Sequence, residues 1–71
     1  MNKSWVILAL YDVLKQNGKI SLEKCCAEYK ISAPTFRRYL ALLRSYFWEV
    51  YRCEIKYDLK TGEYAVKQNT V

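Results

Sequence analysis

The sequence predicts an α+β domain, mostly helical, with three helices followed by a C-terminal two-stranded β-hairpin. Three observations carry this prediction. Apolar residues recur at steps of three and four as far as Phe47. From Arg52 the period drops to two. Ser4, Ser21 and Ser32 stand where helix caps belong, and Gly18 and Gly62 stand where the chain must turn. At 71 residues the chain, positions 1–71, is one domain, near the size where a single core just suffices.

The first helix is expected from a Ser4 cap to about Gln16, with Val6, Ile7, Leu10, Val13 and Leu14 as its apolar stripe and Gly18 ending it. Lys19 and Ile20 read as a short extended link. Ser21 caps a second, short helix with Glu23 at its positive end, and Leu22, Cys25, Cys26 and Tyr29 share one face. Lys30 and Ile31 form a tight turn. Ser32 then caps a third helix, about 33–49, in which Pro34 is tolerated in the first turn. Phe36, Leu40, Leu43 and Phe47 form its buried seam, with Val50 at the far end. In the hairpin, Cys53, Ile55 and Tyr57 alternate with polar neighbours, 58–62 is the loop, and Tyr64 and Val66 return. Gln68 to Val71 read as a frayed tail.

A hydrophobic share of 52%, with seven Tyr, two Phe and two Trp, is ample for a core and argues against disorder. The opening "MNKSWVILALYDVL" begins like a signal peptide, but Tyr11 and Asp12 interrupt it and no small-x-small cleavage site follows. It is read as structure, no segment is predicted to span a membrane, and the expected compartment is the cytoplasm. Cys25, Cys26 and Cys53 offer neither an even disulfide framework nor a metal-ligand spacing. The chain has no histidine, which removes the ordinary general base at neutral pH and every Ser-His or Cys-His pair. No enzyme, metal or cofactor is predicted.

The balance of charge points elsewhere. The formal net charge is +5, which favours a polyanionic partner. Between Tyr29 and Trp48 stand Lys30, Arg37, Arg38 and Arg44 without a single Asp or Glu. Two helices joined by a tight turn make a helix-turn-helix, whose second member fits the major groove of duplex DNA. Its outer face is expected to carry Pro34, Arg37, Arg38, Ala41 and Arg44, small residues letting the arginines approach base edges or phosphates. Ser21 and Ser32, with Thr35 beside the latter, lie at helix N-termini that can hold phosphates. Lys30 in the turn, and Lys60 and Thr61 at the hairpin tip, complete the expected contact set.

With Ser32, Thr35, Phe36, Arg37, Arg38, Leu40 and Leu43 in place, "ISAPTFRRYLALL" resembles the signature of DeoR-type winged helix-turn-helix repressors. "EIKYDLKTGEYAV" looks like the wing of the related N-terminal domains of WYL-associated regulators. The resemblance spans about Ile20 to Val66. It implies a cytoplasmic bacterial, phage or plasmid transcription regulator, commonly a dimer, with the hairpin as wing. By position it places Ser32, Thr35, Arg37 and Arg38 at the DNA and Ile31, Phe36 and Leu40 in the core. Tyr39 departs from the acid usual there, and no effector-sensing domain follows; a stand-alone regulator and an excised domain both fit.

Two rival classes share this fold. A protein-interaction winged helix, such as an antirepressor or a polymerase-binding adaptor, would use the surplus of Trp5, Tyr11, Tyr39, Tyr46, Trp48 and Tyr51 as its contact face. The same surplus also motivates a homodimer. RNA binding has no motif in its favour.

Overall fold

In the computed structural model, which describes residues 2–68, α1 (Lys3–Asn17) is capped two residues before the expected Ser4. Asn2 takes that role: its side chain accepts a hydrogen bond from the Trp5 amide at 2.8 Å. Asn caps as well as Ser, so the earlier start leaves Ser4 inside the first turn. Gly18 closes the helix at φ +75°, a left-handed conformation that a Cβ disfavours. The buried stripe is Val6, Leu10 and Leu14.

Lys19–Ile20 is more than a link. It forms β1, which pairs antiparallel with β3 (Glu63–Gln68), Lys19 opposite Ala65 and Ile20 opposite Tyr64. The Val66 amide also donates to the Gly18 carbonyl at 2.8 Å. The sheet therefore has three strands in the order β1-β3-β2, with β2 spanning Cys53–Asp58. The two-stranded expectation is corrected: a strand of two residues has too little sequence to show a period, and its partner lies far along the chain. Gln68 belongs to β3 opposite Cys53, so the frayed tail does not begin there; positions 69–71 lie outside the described residues.

α2 (Leu22–Tyr29) and α3 (Ala33–Tyr51) begin at the two serines expected. Ser21 Oγ accepts from the Lys24 amide and Ser32 Oγ from the Thr35 amide, both at 3.3 Å. Three residues, Lys30 to Ser32, turn the chain between them. α3 runs two residues past its expected end and buries Phe36, Leu40, Leu43 and Phe47. Val50 does not join that seam; it is 52% exposed, because the last turn of α3 extends beyond the core. A shared hydrogen bond between the Tyr11 and Tyr51 hydroxyls ties that last turn back to α1. It also holds the Tyr11 phenol protonated, raising its pKa to about 12.

The core is one cluster drawn from every element except β3, with Leu10, Leu14, Ile20, Cys25, Phe36, Phe47 and Ile55 among its members, and Tyr64 and Val66 of β3 pack against it half-buried. Burial lifts the Cys25 thiol to about 11, with Glu28 and Cys26 adding to the effect, so it stays a neutral apolar filler. Strand β2 enters this core and then leaves it: Cys53 and Ile55 are buried while Tyr57 is half exposed. Beyond Ile55 the β2 side of the hairpin extends past the core, while Tyr64 of β3 rests on the Phe36 ring of α3 at 5.9 Å and meets Tyr57 edge to face at 5.0 Å. That projection makes the domain a winged helix: three helices, an α2-turn-α3 unit and a hairpin wing, with β1 closing the sheet at the base.

Candidate nucleic-acid interface

Helical geometry assigns each α3 side chain a direction, at about 100° per residue. Pro34, Arg38, Ala41 and Ser45 lie opposite the buried seam, and all four are exposed. Arg37 and Arg44 lie about a quarter-turn away, on the flank toward the sheet. Arg37 shares an open groove of about 660 Å³ with Ser21, Lys24, Tyr57 and Thr61. Arg44 instead donates from Nε to the Ile55 carbonyl at 3.2 Å. The single arginine face expected from the sequence thus divides. Arg38 points outward, Arg37 lines the cleft between α2, α3 and the wing, and Arg44 stitches α3 to β2.

The groove around Arg37 gathers residues from three separate stretches of chain. Ser21 and Lys24 come from the start of α2, Arg37 from α3, and Tyr57 and Thr61 from the wing. Glu23 and Glu63 line it too. Neither reaches ion-pairing distance of Arg37; among the described residues the ion pairs are Lys19–Glu63 at 3.7 Å and Lys56–Glu54 at 3.1 Å. Arg37 and Arg38 therefore both present free guanidinium groups.

The hydroxyls expected at the interface are largely engaged within the fold. Ser32 Oγ donates to Thr35 Oγ1 at 2.9 Å while accepting the Thr35 amide. Thr61 Oγ1 accepts the Glu63 amide at 3.3 Å. At the wing tip the Lys60 amide donates to Asp58 Oδ1 at 2.9 Å and the Gly62 amide to the Asp58 carbonyl at 2.8 Å, with Gly62 left-handed at φ +73°. These bonds fix the loop backbone and leave the exposed Lys60 side chain as its cation.

Lys30 has a further distinction. It ends α2 in the left-handed region, at φ +54° and ψ +49°, where glycine is the usual occupant. Its amide donates back to the Cys26 carbonyl, and its side chain projects from the turn between the two helices. Lys24 and Tyr57 were not foreseen as site residues; only the folding of the wing toward α2 brings them beside Arg37. Among the described residues no three Cys, Asp or Glu side chains converge on a point that would hold a metal ion, and no helix is long and apolar enough to cross a membrane.

No family model, curated protein or solved structure matches this chain.

Proposed function

We propose that the protein binds double-stranded DNA, with the N-terminal half of α3 in the major groove and the 58–62 loop as wing, and that it acts as a small cytoplasmic transcription regulator of the DeoR-like kind. The observation that carries this reading is the pair Arg37 and Arg38. They stand on a helix rigidly held by Phe36 and Leu40, without an ion-pair partner among the described residues, on a stretch of sequence free of acids. Guanidinium groups in that position match phosphates and the acceptor edge of guanine. Lys30 in the turn before α3 and Lys60 in the wing loop add two exposed cations suited to phosphates.

Salt titration tests the reading. If Lys30, Arg37, Arg38 and Lys60 each neutralise one phosphate, log K falls with log salt at a slope of about −3.6. Affinity for a fluorescent duplex, followed by anisotropy, then drops about 100-fold between roughly 50 and 200 mM salt. A slope near zero rejects duplex binding. It would favour the protein-interaction reading, which has the exposed Leu8, Leu42, Tyr46 and Trp48 in its support.

Lys30 gives a second test. A left-handed lysine is strained by about 1 kcal/mol relative to glycine. Lys30→Gly is expected to raise stability in urea by about 0.5–1 kcal/mol. The same change should weaken duplex binding several-fold and flatten the salt slope by about 0.9. Greater stability with unchanged binding would leave Lys30 a helix terminator and nothing more.

A further inference from the structure

α1 and α3 advance in the same sense along an open apolar groove of about 300 Å³. Ile7 and Leu8 stand level with Leu42 and Leu43, Tyr11 with Tyr46 and Phe47, and Lys15 lies over the Tyr51 ring at 4.1 Å. No charged side chain lines this groove, and its rims are the most exposed apolar residues of the helices: Leu8 at 66% and Leu42 at 57%. A groove bordered by its own knobs has the form an isologous contact requires, in which the same patch supplies both projection and recess.

The charges along α3 give that contact a direction. Its solvent-facing strip beside the groove reads Arg38, Leu42, Ser45, Glu49, all exposed. Arg38 stands one turn before Leu42, and Glu49 stands one turn after Ser45. A two-fold axis across the middle of this strip lays α3 antiparallel on its copy, brings Leu42 to the partner's groove and sets each Arg38 against the partner's Glu49. A parallel arrangement would set arginine on arginine.

We propose that the α1–α3 face is a self-association surface, on which two copies pack antiparallel about a two-fold axis, with the Arg38–Glu49 pairs fixing the orientation. The strip spans only a few helical turns, so the contact is expected to bury less than the roughly 800 Å² per partner of a standard interface. The expected association is therefore weak, with a dissociation constant of tens of micromolar. The exposed ion pairs select the arrangement more than they strengthen it. Arg38 also belongs to the proposed duplex-facing surface, so a second copy and a duplex compete for it. The self-association itself does not rest on the duplex reading.

Sedimentation velocity on the DNA-free chain, over about 5 to 300 µM, tests the proposal. Concentration-dependent growth toward twice the 8.5 kDa chain mass is expected. Leu42→Asp, at an exposed position that leaves the fold intact by circular dichroism, should weaken it at least tenfold. Arg38→Glu and Glu49→Arg should each weaken it a few-fold, and the double variant should restore it. Duplex binding, expected to weaken in Arg38→Glu, should not recover in that double variant, which separates the two readings. A chain that stays monomeric throughout overturns the proposal, whether or not it binds DNA, and hands the groove to another partner. Dimers that persist in Leu42→Asp overturn the face, and failure of the charge swap to restore association overturns the antiparallel arrangement.

Discussion

Replacing Phe36 by alanine is expected to unfold much of the protein population at 37 °C and to lower the melting temperature by at least about 15 °C. Phe36 is fully buried, and its ring meets Tyr64 at 5.9 Å across the junction of α3 and the wing. Truncating a buried phenylalanine costs about 3–5 kcal/mol, because lost burial and an unfilled cavity add together. A domain of this size has only about 4–10 kcal/mol of stability in total. Urea unfolding followed by far-ultraviolet circular dichroism measures the loss. Leu42→Ala, removing a side chain more than half exposed, should cost under about 1 kcal/mol. If the two substitutions cost the same, the assignment of inner and outer faces on α3 is wrong.

That assignment was readable from local chemistry. Spacing alone identifies Phe36, Leu40, Leu43 and Phe47 as the seam of α3, since only the helical period is needed. Ser21 and Ser32 were legible as caps for a similar reason: a cap acts on an amide three residues away. The period change at Arg52 and the turn at Gly62 marked the hairpin. Features set by distant parts of the chain were not legible. β1 has two residues, and it becomes a strand only because β3 returns to it. Lysine carries no sequence signal for the left-handed conformation found at Lys30.

The candidate site divides along the same line. Helical period separates core from solvent, but it does not say which part of the solvent-facing arc turns toward the sheet. Arg37, Arg38 and Arg44 were therefore expected on one outer face, whereas the fold sends Arg44 to the Ile55 carbonyl and Arg37 into the cleft below the wing. Lys24 and Tyr57 reach that cleft only through tertiary packing. Glu23 and Glu63, which temper its positive character, were equally hidden.

Reversing both arginines, in Arg37→Glu/Arg38→Glu, should abolish duplex binding while the fold survives. Each lost phosphate or guanine contact is worth about 1–3 kcal/mol, and each new carboxylate adds repulsion against the phosphates. The affinity loss at about 100 mM salt is expected to exceed 100-fold, and any residual binding should show a salt slope shallower by about 1.8. Both side chains are exposed and free of ion pairs among the described residues, so thermal stability should change by little. The single variants should then differ in kind. Arg38 projects from the outermost line of α3, where a helix in the major groove meets base edges, so Arg38→Ala should mainly erase discrimination between duplex sequences. Arg37 faces the cleft beside Lys24 and the wing, where the sugar-phosphate backbone would run, so Arg37→Ala should weaken all duplexes alike. Selection of bound duplexes from a random pool, repeated with each variant, distinguishes the two. A double variant that keeps its duplex affinity, in a chain still folded, removes α3 as the recognition helix.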